Sequence, residues 1–143
     1  MKLTPKTPWH LWVVGGLSLL WNFGGVVSYT TTKMQALGGA NMPAAQLDYY
    51  YSFPAWATVF WALGVWGCFF GSLALLLKRK FAVWLFAVSI VGLIGTSIYQ
   101  WGVSDMPDTL KTTGHIVFAL AIWAITIGLF FYARAMAAKN VLK

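Results

Sequence analysis

Apolar residues run from Ala55 to Leu77 without a single charge, 23 positions that end abruptly at Lys78-Arg79-Lys80. At about 1.5 Å of rise per residue, a helix of that length crosses a hydrocarbon core of roughly 30 Å. Ser52 as a cap and Pro54 as a first-turn proline predict its start, and the three cations stop it on the cytoplasmic side. Similar apolar runs recur before and after it, predicting four spans at about 9–29, 54–77, 81–101 and 115–136. Thr7-Pro8 predicts the start of the first span, and Thr112 or Thr113 that of the fourth. The expected fold is all-α, a four-helix transmembrane bundle forming one membrane domain over residues 1–143. The basic tail MKLTPKT and the first apolar run share the outline of a secretory signal peptide. That run exceeds a typical signal core and no small-residue cleavage site follows it, so a retained span is expected.

The connections are short apart from residues 30–53. There, Pro43 to Tyr51 reads as a short interfacial helix, and Tyr49, Tyr50 and Tyr51 with Phe53 and Trp56 read as an aromatic belt. The turn at Lys78, Arg79 and Lys80 is so tight that the second and third spans must be antiparallel neighbours.

Charge sets the expected orientation. The N-terminal tail, the 78–80 turn and the C-terminal group of Arg134, Lys139 and Lys143 hold eight of the ten cations. The other two connections hold Lys33 and Lys111 together with all three acids, Asp48, Asp105 and Asp108. Four spans make these segments alternate, so both termini are expected in the cytoplasm of a bacterial cell, the protein being multi-pass in its inner membrane. The net charge of +7 is therefore topological, aimed at the lipid bilayer, and no basic stripe or arm points to nucleic acid.

Spacing residues at about 100° gathers small and polar side chains on one face of each span. These faces carry Gly15, Ser18, Asn22 and Gly25; Ala57, Trp61, Gly64, Cys68 and Gly71; Ser89, Gly92, Thr96 and Gln100; and His115, Ala119, Ile122, Thr126 and Ala133. In lipid such faces turn inward, since helices associate through close van der Waals contact and modest hydrogen bonds. Gly15, Ser18, Gly25, Gly64, Gly67, Gly71 and Gly92 are the expected packing residues. Gly67-xxx-Gly71 admits two uses, packing within the bundle or homodimerisation.

Chemistry is sparse. With Arg134 counted among the C-terminal cations, no span carries Asp, Glu, Lys or Arg, which argues against proton-coupled transport through a buried carboxylate. One cysteine, Cys68, leaves no disulfide, thiol relay or cysteine metal cluster within a chain. His10 and His115 fall at opposite membrane faces, so one chain cannot hold a haem between them, and no cofactor, metal site or enzyme motif is implied. The best constellation is Asn22, Thr96, Gln100 and His115 with Trp21 and Trp61, in the outer half of the bundle. Amides over an aromatic wall suit a polyol or another neutral polar ligand. The competing reading is structural, with Asn22 bonding an indole N–H or a carbonyl to fix helix register. Trp66 and Trp123 lie too deep for an interfacial belt.

Three segments, TPWHLWVVGGLSLLWN, YYYSFPAWATVFWALGVWG and IYQWGVSD, together resemble a family of small four-span bacterial inner-membrane proteins. Its members often carry an automated "sugar transporter" label, so the resemblance implies transport and supplies no site residues. Two functions are expected from the chain as a whole. One is a non-enzymatic accessory or structural subunit packed against a larger membrane complex. The other is a small homo-oligomeric transporter or channel for a neutral solute such as a sugar.

Overall fold

The computed structural model describes residues 6–33, 48–49, 51–108 and 111–143. Among the described residues four long helices build it: α1 (Trp9–Lys33), α2 (Ala55–Leu76), α3 (Phe81–Ile98) and α4 (Thr113–Ala138). A π-helical turn, Tyr99–Val103, extends α3, and no strand occurs among the described residues. Counting that turn, all four helices are long and apolar enough to cross a membrane, the build of a multi-pass integral membrane protein. Large apolar side chains such as Leu17, Leu20, Trp84 and Phe131 remain exposed on the outside, the surface that lipid would cover.

The helix starts differ in detail from the expected caps. Thr112 does cap α4, its hydroxyl accepting from His115 N–H at 3.2 Å. Ser52 does not cap α2, because its hydroxyl donates back to the Tyr49 carbonyl, and Pro54 itself occupies the cap position. Pro8 likewise precedes α1, and the Thr7 hydroxyl accepts from Lys78 Nζ. The interfacial helix expected at 43–51 lies mostly outside the described residues.

The helices pack in chain order, α1 on α2, α2 on α3 and α3 on α4, with α2 and α3 in the closest embrace. Glycine explains that closeness. A methyl group added at Gly92 would run into the backbone of Gly64, and one at Gly67 would sit 3.0 Å from the Leu85 carbonyl. Gly71 lies under the ring of Phe86, and Gly15 lies against Leu76 of α2. Within the chain, the Gly67–Gly71 face is thus occupied by α3. Gly25 departs from its expected packing role, since nothing lies within 4 Å of where its Cβ would be. Gly95 takes a packing role instead, pressed against the Phe60 ring.

One end of the bundle gathers the start of α1, the α2–α3 turn and the end of α4; it is called here the terminal end. Leu11, Leu75, Phe86, Leu129, Met136 and Leu142 are buried there in one cluster that draws on every helix. The tail after α4 folds back into it: Lys143 N–H donates to the Lys78 carbonyl, and Lys80 N–H donates to the Lys143 carbonyl. Both α2 and α4 close with a left-handed residue, Lys78 at φ 56° and Asn140 at φ 59°. Arg79 N–H reaches the Ala74 carbonyl and Val141 N–H the Met136 carbonyl, so each stop satisfies carbonyls that a helix end would orphan. Arg134 proves to be part of α4 rather than of a tail, exposed near its end with its guanidinium 5.8 Å from the Phe130 ring centre.

At the other end, the loop end, Tyr49 and Phe53 are buried with Ala57, Tyr99 and Met106. Phe53 meets Tyr99 edge-on at 4.8 Å, and the Tyr49 and Ser104 hydroxyls are 2.8 Å apart. The belt expected of these aromatics is corrected at two positions: Tyr49 and Phe53 form core, pulled inward by contact with α2 and the π turn.

Candidate ligand cavity

The inward faces do not close over the whole length of the bundle. Between the four helices, in the half toward the loop end, lies a cavity of about 640 Å³. Its walls come from Leu20–Ser28 of α1, Trp61–Cys68 of α2, Ser89–Trp101 of α3 with its π turn, and His115–Thr126 of α4. That volume is within the range of ordinary small-molecule sites, which are mostly apolar with a few aimed polar groups.

A polar layer forms the floor. Asn22, near the middle of α1, donates from Nδ2 to the Cys68 carbonyl at 3.1 Å and to Ser72 Oγ at 2.8 Å. Because a carbonyl can only accept, the amide orientation is fixed by chemistry: nitrogen faces α2 and oxygen faces away. Ser89 on α3 donates to the Gly64 carbonyl at 2.7 Å, which uses its one proton. The Cys68 thiol, 2.9 Å from Ser89 Oγ, must therefore be the donor in that pair. Thr126 on α4 lies 3.6 Å from the same sulfur and donates to it. Asn22, Cys68, Ser72, Ser89 and Thr126 are all buried, and together they tie α1, α2, α3 and α4 at mid-depth. Interhelical hydrogen bonds in membranes contribute about 0.6 kcal/mol on average, so this layer works chiefly by fixing register.

Above the floor the walls turn aromatic. Trp61 stacks edge-on with Tyr29 at 5.0 Å and touches Phe53 at 5.4 Å. Trp21 meets Phe118 at 5.7 Å across the α1–α4 seam. Trp123 donates its indole N–H to Ser97 Oγ at 3.1 Å, joining α4 to α3. This gives one deep tryptophan a definite place on the cavity wall. The other, Trp66, packs on Phe69 and Phe70 of its own helix and on Tyr29.

The six residues singled out as a polar and aromatic constellation, Asn22, Thr96, Gln100, His115, Trp21 and Trp61, all border this one cavity. Their hydrogen-bonding capacity is unevenly spent. Thr96 donates to the Gly92 carbonyl at 2.8 Å, a helix-internal bond. Asn22 Oδ1, the Gln100 amide and the His115 ring nitrogens have no protein partner among the described residues. Gln100 sits on the π turn, whose wider backbone loop occurs often at functional sites and turns Gln100 into the mouth of the cavity. His115 is in the first turn of α4, beside the Trp101 ring at 6.3 Å. The other histidine, His10, is at the terminal end, paired with the Tyr132 hydroxyl across the α1–α4 seam.

Both sides of the earlier choice for Asn22 turn out to be occupied. Its NH2 group bonds a carbonyl and fixes register, while its oxygen remains toward the cavity. The sequence had not marked Ser72, Ser97 or Ser28, which also belong to the floor or walls. The spacing of Cys68 and Ser72, one turn apart on the face toward α1, was the available signal. Searches of protein-family models, curated proteins and solved structures find no match to this chain.

Proposed function

We propose that the protein is a membrane-embedded binder of an uncharged small solute, acting as the loading site of a small carrier. The observation that carries this reading is the concentration of unspent hydrogen-bonding groups around a single 640 Å³ cavity with aromatic walls. No buried side-chain nitrogen or oxygen is left without a partner among the described residues, so Asn22 Oδ1, Gln100 and His115 are open to the cavity, where each hydrogen bond to a ligand would contribute about 0.5–1.5 kcal/mol. Among the described residues no Asp, Glu, Lys or Arg borders the cavity, which suits a neutral molecule. Hydroxyl groups would meet the amides and the imidazole, while an apolar ring face would lie on Trp21 or Trp61. A sugar or polyol has both surfaces. The floor and the packed terminal half close the route beneath, so passage across the membrane requires α1 and α4 to part below Asn22.

Uptake of a panel of uncharged sugars and polyols into vesicles reconstituted with purified protein tests this. Gln100→Ala removes an amide that makes no side-chain bond among the described residues, and Gly25→Leu fills open space. Both variants should lose uptake by roughly tenfold, the scale of one lost hydrogen bond or a blocked site, with unchanged folded yield. Uptake by Gly25→Leu equal to wild type would sink the proposal.

A second reading, an accessory subunit of a larger membrane complex, is favoured by the α1–α4 seam. Over the loop half these helices meet through the Trp21–Phe118 pair, and Leu20 and Phe118 beside it are 72% and 51% exposed. A partner helix laid along the seam would cover both. Purification from native membranes in mild detergent, followed by mass spectrometry, decides it: a stoichiometric larger partner supports this role, and a chain recovered alone removes it.

A further inference from the structure

A second concavity lies at the terminal end, outside the bundle and far from the cavity. It is a groove between the last turns of α2 and the first turns of α3, floored by Phe70, Leu73, Leu77, Phe81 and Leu85. Arg79 and Lys143 stand on its rim. The floor is apolar and open to lipid, with Leu77 and Phe81 each 62% exposed. Phe70 to Leu77 covers about 10 Å along the helix at 1.5 Å per residue, a length that several methylenes of an acyl chain would follow. The rim is built rather than incidental. Reciprocal backbone bonds with Lys78 and Lys80 pin Lys143 beside the turn that carries Arg79. Neither rim cation has an acidic side chain to answer it among the described residues. The one ion pair among the described residues, Lys111 with Asp108, is at the other end, as are Asp48 and Asp105.

We infer that this groove binds an anionic phospholipid, its phosphate held by Arg79 and Lys143 and one acyl chain lying on the Phe70–Leu85 floor. The guanidinium offers a planar fork to two phosphate oxygens, and the lysine adds a point charge. The cation count along the chain places this end on the cytoplasmic side, where anionic lipid is plentiful. A bound lipid would clamp the α2–α3 turn to the C-terminal segment. The site is independent of the cavity, so either assignment can fail alone.

Native mass spectrometry of the purified protein tests it, with phosphatidylglycerol and phosphatidylcholine of identical chains added in equal amounts. Wild type should retain phosphatidylglycerol preferentially. Arg79→Gln with Lys143→Gln should lower that retention by roughly tenfold or more, given the attraction of each basic residue to anionic lipid. Lys6→Gln with Lys139→Gln removes the same charge from the same end but off the rim, and should leave retention near wild type. Equal loss in both double variants would show generic attraction to a basic surface and overturn the site, as would equal retention of the two lipids by wild type. Leu77→Ser, which cuts into the floor and keeps the cations, should weaken retention by several-fold; no change there would also overturn it.

Discussion

In the terminal half of the bundle, α1 and α4 are drawn together by Leu11, Leu129 and Met136 and by the His10–Tyr132 pair. In the loop half the same helices face each other across a cavity, with Gly24 and Gly25 on one side and Ala119 and Ile122 on the other. The two halves are made of similar residue types but in different places. Below Asn22 large side chains such as Leu11, Phe86 and Leu129 fill the interior, and above it Gly24, Gly25 and Ala119 leave a space that aromatic side chains line without filling. In water the hydrophobic effect would drive such a space to collapse. Lipid tails are as apolar as leucine, so nothing comparable forces the upper half shut. The difference shows that the cavity rests on a packed base, with the polar layer at mid-depth as the boundary between the two.

That contrast can be broken most severely at the α2–α3 crossing. Gly92→Leu has no room against the Gly64 backbone and should cost about 3 kcal/mol or more, leaving little monodisperse protein after detergent extraction. Gly128→Leu, on a face with open space, is the control that should extract normally. Next comes the boundary itself. Asn22→Ala forfeits two interhelical bonds and should lower stability by about 1–2 kcal/mol, read as a drop in thermal midpoint in detergent. A drop as large as that of Gly92→Leu would mean the floor, and not the glycine seam, holds the bundle. Tyr132→Phe removes the hydroxyl partner of His10 and should cost about 0.5 kcal/mol by the same thermal measurement. Gly25→Leu should have the smallest effect on stability, within about 0.5 kcal/mol, because the upper half has space for it. A large loss there would show that the loop half is packed after all.

Much of this was legible beforehand because lipid imposes simple rules. A run of 23 uncharged residues with cations after it has few alternatives to a spanning helix, and the four spans and their tight turn follow from length alone. The inward faces were legible too, since small and polar residues at helical spacing have nowhere better to go than another helix. This is why Asn22, Gln100 and His115 could be grouped across three separate helices. Local signals fared worse at the ends. Ser52 and Pro54 read as a cap and a first-turn proline, yet the chain before α2 turns inward to bury Tyr49 and Phe53, and Ser52 bonds Tyr49 instead. Contacts between distant segments overrode a local preference worth about 1 kcal/mol.

The sequence by itself determined the number of helices, their limits to within a turn or two and the faces they bury, because the thickness of a bilayer and the saturation of backbone hydrogen bonds leave little choice. The tertiary structure alone decided which glycines touch a neighbour and which border empty space. It also decided that the Gly67–Gly71 face meets α3, and that Asn22 spends its NH2 on Cys68 and Ser72 while its oxygen stays uncommitted. The physical reason is geometric. A helix face names the residues that can be inside, but only the distance between backbones, set by the largest side chain at each level, says whether that inside is filled or hollow.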